Sequence, residues 1–270
     1  MALAEAANEE SRKDEAIIKT EVDGPVTILT MVYRPYNLVG PALSSALIGE
    51  FNAARSRGSR AVLLRSGLRH FSAGADLTLF ADRIQKGNDS TFSGLDLLRA
   101  FEELPMPVVT SIHGVCLGGG LELALASDYI IAAESAKIGS VESALGLHPL
   151  MGGIQRQVQR AGMARAKEMS MLGRRYDPAT LERWGLINLV VPDGGLEKAS
   201  LAIAQELARG PTIAHAATKR LAAIAANEGV EAADLAMVEL QKPIWSSEDL
   251  KRGLESFMAN GPGLAKFQGN

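Results

Sequence analysis

The chain has 270 residues, 47% of them hydrophobic and 22% charged, with a net charge of -3 from 28 basic and 31 acidic side chains that are interspersed along it. That make-up belongs to a protein able to bury a sizeable core, and the balanced charge leaves no basic face for nucleic acid and no pull toward an anionic membrane. The lone cysteine, Cys116, excludes an internal disulfide and a thiolate zinc site, and no apolar run approaches the roughly 20 residues that span a bilayer, so a reducing cytoplasm is the expected compartment.

Residues 1–14 are polar and partly acidic, without the basic start and apolar centre of a signal peptide, and are expected to form a flexible leader. Two β-branched segments, 16–22 and 25–32, flank the Asp23-Gly24 turn signal and predict a hairpin. Leu43, Leu47 and Phe51, spaced by four, predict a helix over 41–56, and the apolar run 61–64 predicts a buried strand. The rhythm repeats with a helix at 95–103, a strand at 107–112, a helix at 118–127 and a strand at 129–133, which means an α/β fold around a mostly buried sheet. From about residue 195 only helices are expected, with stripes at Leu196, Ala199, Ile203 and Leu207 and at Leu250, Leu254 and Phe257. Ser246 or Ser247 caps the last helix, ahead of Glu248 and Asp249 in its first turn. The expected organisation is an α/β core over 15–205 and a helical region over 206–270.

Chemistry is expected at two glycine-containing turns, each following a buried strand: Phe71-Ser72-Ala73-Gly74-Ala75-Asp76-Leu77, and the Gly118-Gly119-Gly120 cluster that opens a helix carrying Glu122. N–H groups at helix starts lack intrahelical partners and are ready donors to a negative oxygen. Two of them aimed at one point would form an oxyanion hole. Either turn taken alone reads first as an ordinary tight turn, as glycine clusters before helices usually are. The spacing fails the dinucleotide pattern, because Leu123 stands where G-x-G-x-x-G needs its last glycine, and no phosphate-binding G-x-x-x-x-G-K-[ST] occurs. Glu122 lies between Leu121 and Leu123, and Glu142 follows Lys137 to Ser140 in the otherwise apolar stretch Val141 to Leu147. Desolvation would bring such carboxylates into the range useful for proton transfer. Simpler readings stand beside this one: a helix-start carboxylate favoured by the dipole for Glu122, and a solvated loop residue for Glu142. His70, His113, His148 and His215 are scattered, without a serine elbow or a partnered cysteine, and Cys116 reads as a packed small hydrophobe.

The ordered series Arg34-Pro35-Tyr36-Asn37, Phe71 to Leu77, Gly118 to Ala124, Gly139-Ser140-Val141-Glu142, Gly152-Gly153-Ile154-Gln155-Arg156, Gly185 to Pro192 and Thr218-Lys219 resembles the enoyl-CoA hydratase/isomerase (crotonase) superfamily over nearly the whole chain. The resemblance implies a spiral of repeated ββα units followed by a C-terminal helical trimerisation region, in a homotrimer or a hexamer built as a dimer of trimers. It implies an oxyanion hole from the N–H groups of Ala75 and Gly119, with Glu142 giving a proton to the α-carbon and Glu122 activating a water. It also implies substrate contacts at Ala73, Asp76, Leu77, Thr78, Gly118 and Leu150, with Lys266 reaching a CoA phosphate. Neither a metal nor a nicotinamide is implied; coenzyme A enters as part of the acyl-CoA substrate.

The implied reaction is hydration of a trans-2-enoyl-CoA to a 3-hydroxyacyl-CoA. One departure bears on it. The family commonly has Pro-Gly-x-Gly-Gly where this chain has Pro149-Leu150-Met151-Gly152-Gly153, and the replaced glycine is the one whose N–H helps hold the water. The alternative is therefore an isomerase or another crotonase-type reaction without hydration. Acyl length would be set by Phe80 to Phe92 together with the C-terminal helices.

Overall fold

The computed structural model describes residues 16–78 and 94–270. The expected leader and the segment Phe80 to Phe92 lie outside the described residues.

The hairpin forms as β1 (Ile18–Asp23) and β2 (Val26–Met31), paired antiparallel with Asp23 opposite Val26. The connecting pair is Gly24-Pro25, one residue beyond the expected signal, with Gly24 at φ 54 where an L side chain would be strained. β1 is the sheet edge and is largely exposed, with Lys19, Glu21 and Asp23 along it, a charge pattern that discourages pairing with another chain. Parallel strands follow: β3 (Ala61–Ser66), β4 (Val108–Ile112), β6 (Tyr129–Ala133) and β8 (Leu189–Val191), giving the order β1-β2-β3-β4-β6-β8. β2 and β4 are buried along their whole length, as expected of strands covered on both faces.

One face carries α1 (Pro41–Ser56) and α2 (Leu95–Glu102), where Phe51 and Phe101 meet edge to face at 4.5 Å. Proline at the first position of α1 suits a residue whose missing N–H would have no partner there. The other face is covered by α6 (Leu196–Arg209). Its buried line is Leu196, Ser200, Ala204 and Ala208, while the expected Ile203 and Leu207 pack half-buried beside it. Small residues on that line let the helix axis come close to Leu63, Val109 and Ile131 of the sheet.

Between strands the chain adds a second, shorter ladder. β5 (Val115–Leu117) pairs parallel with β7 (Lys137–Gly139). Single bridges extend it: Val39 to Ala75, Ser72 to Cys116, and Ile138 to Tyr176, the last just ahead of α5 (Pro178–Arg183). Each turn of the chain thus contributes one strand to the large sheet and one segment to the small ladder before a helix returns it, which is a ββα spiral. Beyond it, α7 (Thr212–Glu228) and α8 (Val230–Leu240) pack together, and α9 (Lys242–Trp245) leads to α10 (Glu248–Asn260). Ser247 caps α10, accepting the Leu250 N–H at 3.1 Å. Lys219 ties α7 to the core by an ion pair with Asp128 at 2.7 Å and by donating to the carbonyls of Phe101 and Met106.

Candidate active site

The small ladder gathers the predicted residues. Because Ser72 bridges Cys116 and Leu117 registers with Gly139, the segments 73–75, 118–119 and 140–142 leave neighbouring positions on the same edge. The first turn is held from beneath by Asn37, fully buried at φ 50. Its Nδ2 donates to Ser66 Oγ and to the Phe71 carbonyl, while its own carbonyl accepts from Ser72 Oγ at 2.7 Å. Asn37 stood in the motif series without a role; its cradle function had no local signal, since its partners lie about thirty residues away.

The second turn depends on glycine. Gly118 has φ 48 and ψ -121, and its N–H donates to the Gly139 carbonyl. A Cβ on Gly119 would lie 3.2 Å from the Ala75 nitrogen, and one on Gly120 would strike Ser72 Cβ at 2.6 Å. The two turns are therefore in backbone contact, which only glycine permits. The Ala75 and Gly119 N–H groups donate to nothing among the described residues.

Glu122 sits on α3 (Gly119–Leu125), a helix buried at every residue, and is only 3% exposed. Its Oε1 accepts from the Met151 N–H at 2.8 Å and the Gly153 N–H at 2.9 Å, at the start of α4 (Gly153–Leu172), which is broken at Gly162. Those donors and the helix start favour charge on the carboxylate. Burial outweighs them, and with the nearby Glu142 charge it pushes the Glu122 carboxyl up to about 7. A Cβ on Gly153 would fall 2.7 Å from Glu122 Cγ, so glycine there lets the carboxylate seat.

Glu142 opens a 3-10 turn (Glu142–Leu145). Its Oε2 accepts from Ser140 Oγ at 3.0 Å, and its Oε1 is buried with no partner among the described residues, beside the point 3.2 Å away where a Cβ of Gly118 would be. It is not the solvated loop residue of the simpler reading. The arrangement sets two unpartnered N–H donors next to two carboxylates, one of them with a raised pKa.

The remaining predicted residues divide. Asp76 Oδ1 accepts from the Thr78 N–H and hydroxyl at 3.0 and 2.7 Å, Ala73 is partly buried, and Leu77 and Thr78 are exposed. Leu150 is 42% exposed, and its N–H donates to nothing among the described residues. Lys266 is not brought to the site within one chain. It is exposed, on a tail held by Arg60, whose Nη1 donates to the Phe267 carbonyl, and Arg60 precedes β3 while the site turns follow that strand's other end. The histidines serve loops: His113 Nε2 bonds the Leu68 carbonyl, and His70 Nδ1 accepts from the Val115 N–H. Cys116 is packed in the core, where burial pushes its thiol up. Ser140, Gln157 and Arg156 support the carboxylates; Ser140 and Arg156 stood in the motif series without a role, and Gln157 lay outside every motif. Among the described residues there is no cluster of three or more metal-ligating side chains, and no helix is long and apolar enough to cross a membrane.

The enoyl-CoA hydratase/isomerase family model matches residues 21–265. The chain belongs to the enoyl-CoA hydratase/isomerase family. It is 34% identical over 253 residues to a protein of Rhizobium meliloti named probable enoyl-CoA hydratase, covering 88% of this chain and 93% of that one. A second relative of the same name, from Rhodobacter capsulatus, is 32% identical over 259 residues, covering 91% and 96%. The crystal structure of an enoyl-CoA hydratase from Bacillus anthracis superposes with a TM-score of 0.84 at 28% identity, covering 94% of this chain and all of that one. The expected crotonase fold is thereby shown, and the family's acyl-CoA chemistry is the frame for the site.

Proposed function

We propose that this crotonase-family protein is an enoyl-CoA hydratase, adding water across the double bond of a trans-2-enoyl-CoA. The observation that carries the reading is the placement of Glu122 and Glu142 beside the unpartnered N–H groups of Ala75 and Gly119. The thioester oxygen would accept from both N–H groups, and the negative charge that builds on it as the β-carbon is attacked would be met by donors already in place. Glu122 would orient and activate the water whose oxygen bonds to the β-carbon, and Glu142 would deliver a proton to the α-carbon. Atoms balance: hydroxyl and hydrogen together make one water, and no electrons are exchanged. A carboxyl raised to about 7 is poised for such transfer at neutral pH.

Leu150 does not spoil this reading. The turn that carries it still delivers the Met151 and Gly153 N–H groups to Glu122, and the Leu150 side chain stands exposed. The same proposal includes an acyl-CoA contact surface at Ala73, Asp76, Leu77, Thr78 and Gly118, and assembly as a homotrimer or a dimer of trimers through the C-terminal helices.

The test follows loss of the conjugated-thioester absorbance with C4, C8 and C16 trans-2-enoyl-CoA. Wild-type turnover that falls at least about a hundredfold in Glu142→Gln supports hydration. Conversion of a 3-enoyl-CoA with no hydration at any length replaces it by the isomerase.

A further inference from the structure

Gln157 is a polar side chain with no exposure at all, on α4, and the proposed reaction gives it no task. Its Nε2 lies 3.3 Å from Ser140 Oγ, and its Oε1 accepts from Ser170 Oγ at 3.3 Å. Ser140, 1% exposed, donates in turn to Glu142 Oε2 at 3.0 Å. Burying this chain of polar groups costs free energy that a local apolar packing would not, which marks it as built for a purpose.

The direction of the bonds follows from the donor inventory. A serine hydroxyl has one proton, and an ionised carboxylate only accepts. Ser140 must therefore spend its proton on Glu142, leaving only lone pairs for Gln157. The amide must then present nitrogen to Ser140 and oxygen to Ser170, which is the arrangement observed. An amide nitrogen accepts no hydrogen bond, so Ser140 cannot turn its proton toward Gln157.

With Oε2 occupied by the Ser140 hydroxyl, a proton arriving on Glu142 goes to Oε1. That oxygen is buried, unpartnered, and beside Gly118 at the mouth of the second turn. We propose that Gln157 is a positioning residue which, acting through Ser140, directs the transferable proton of Glu142 onto Oε1, the oxygen facing the α-carbon. This rests on the assignment of Glu142 as proton donor.

A double-mutant cycle tests it, with Gln157→Met, Ser140→Ala and the double variant assayed on crotonyl-CoA. The expected result is a fall in kcat of about tenfold for each single variant with KM held within about twofold, because the lost interaction is made to a charged group during proton transfer and not to the bound thioester. The double variant should be no slower than Ser140→Ala alone, since Gln157 acts only through Ser140. A merely structural role gives losses that multiply to about a hundredfold, or a KM that rises at constant kcat, and either overturns the proposal. Should Gln157→Met fail to fold, Ser170→Ala takes its place in the cycle, with a loss of about threefold in kcat that also vanishes on the Ser140→Ala background. A wild type that turns over while Gln157→Met matches it overturns the relay alone; a wild type with no turnover overturns the hydratase reading beneath it.

Discussion

The spiral half buries its largest apolar side chains, whereas the C-terminal helices past α7 leave theirs exposed. In the spiral, Phe51, Phe71, Phe101, Leu63 and Leu98 are shut away from solvent. On α8, α9 and α10, Leu235, Trp245, Phe257 and Met258 are each more than 60% exposed. Helical spacing alone cannot tell these cases apart, because an apolar stripe satisfied inside one chain looks the same as one that needs a second chain. The spiral supplies its own second surface in the sheet; past α7, Leu235, Trp245, Phe257 and Met258 are left uncovered by the described residues.

The contrast gives its largest expected effect in a paired truncation. Phe101→Ala removes a fully buried ring that packs edge to face on Phe51 and should cost about 3–5 kcal/mol in chemical denaturation. Phe257→Ala, at 61% exposure, should cost within about 0.5 kcal/mol at concentrations where single chains dominate. Equal losses would erase the distinction between the halves.

A second prediction concerns the charge that the spiral buries. The Glu122 carboxyl titrates at about 7 in the folded protein against an ordinary 4.5. Its protonated form is the favoured one in the fold, so its contribution to stability is fully present below pH 4.5 and is lost as pH rises through about 7. Glu122→Gln, which stays neutral and keeps an oxygen for the Met151 and Gly153 N–H groups, should match the wild type near pH 4.5. It should become more stable by on the order of 3 kcal/mol above pH 7, while losing hydration. Melting curves of both proteins across that range check it, and a constant difference at all pH values would contradict the burial argument.

How far each half could be read in advance follows from the same physics. The line Leu43, Leu47 and Phe51 was legible because a single helix spacing meets a large sheet, and all three residues are buried. The two glycine turns and both carboxylates were legible as a family resemblance in the sequence, and the ladder bridge from Ser72 to Cys116 brings the turns together. Gln157 was not, since it lies in the run Gln155-Arg156-Gln157-Val158-Gln159-Arg160 that resembles a solvated face. The last helix forms as expected with its Ser247 cap, and what could not be read was which of its residues the chain itself buries. Its stripe at Leu254 and Phe257 is exposed, while Asp249 is buried because it accepts the Gln268 and Gly269 N–H groups of a tail that folds back and pairs with Arg252. Nothing local announces a tail contact twenty residues ahead.

The smallest effect on the isolated chain should be the most informative about its assembly. Phe257→Asp combined with Met258→Asp places charge on a surface that is already solvated, so the melting point of dilute protein should change little. If the C-terminal helices are buried between copies, the same changes put unpaired charges into a dry contact and should shift sedimentation from the trimer or hexamer to the single chain. Matching Asp substitutions at Val22 and Met171, exposed on the spiral half, should leave the sedimentation unchanged. If instead both sets dissociate the protein, or neither does, the exposed stripe of the C-terminal helices carries no special role. The opposite treatment of apolar side chains in the two halves would then be a matter of degree rather than of assembly.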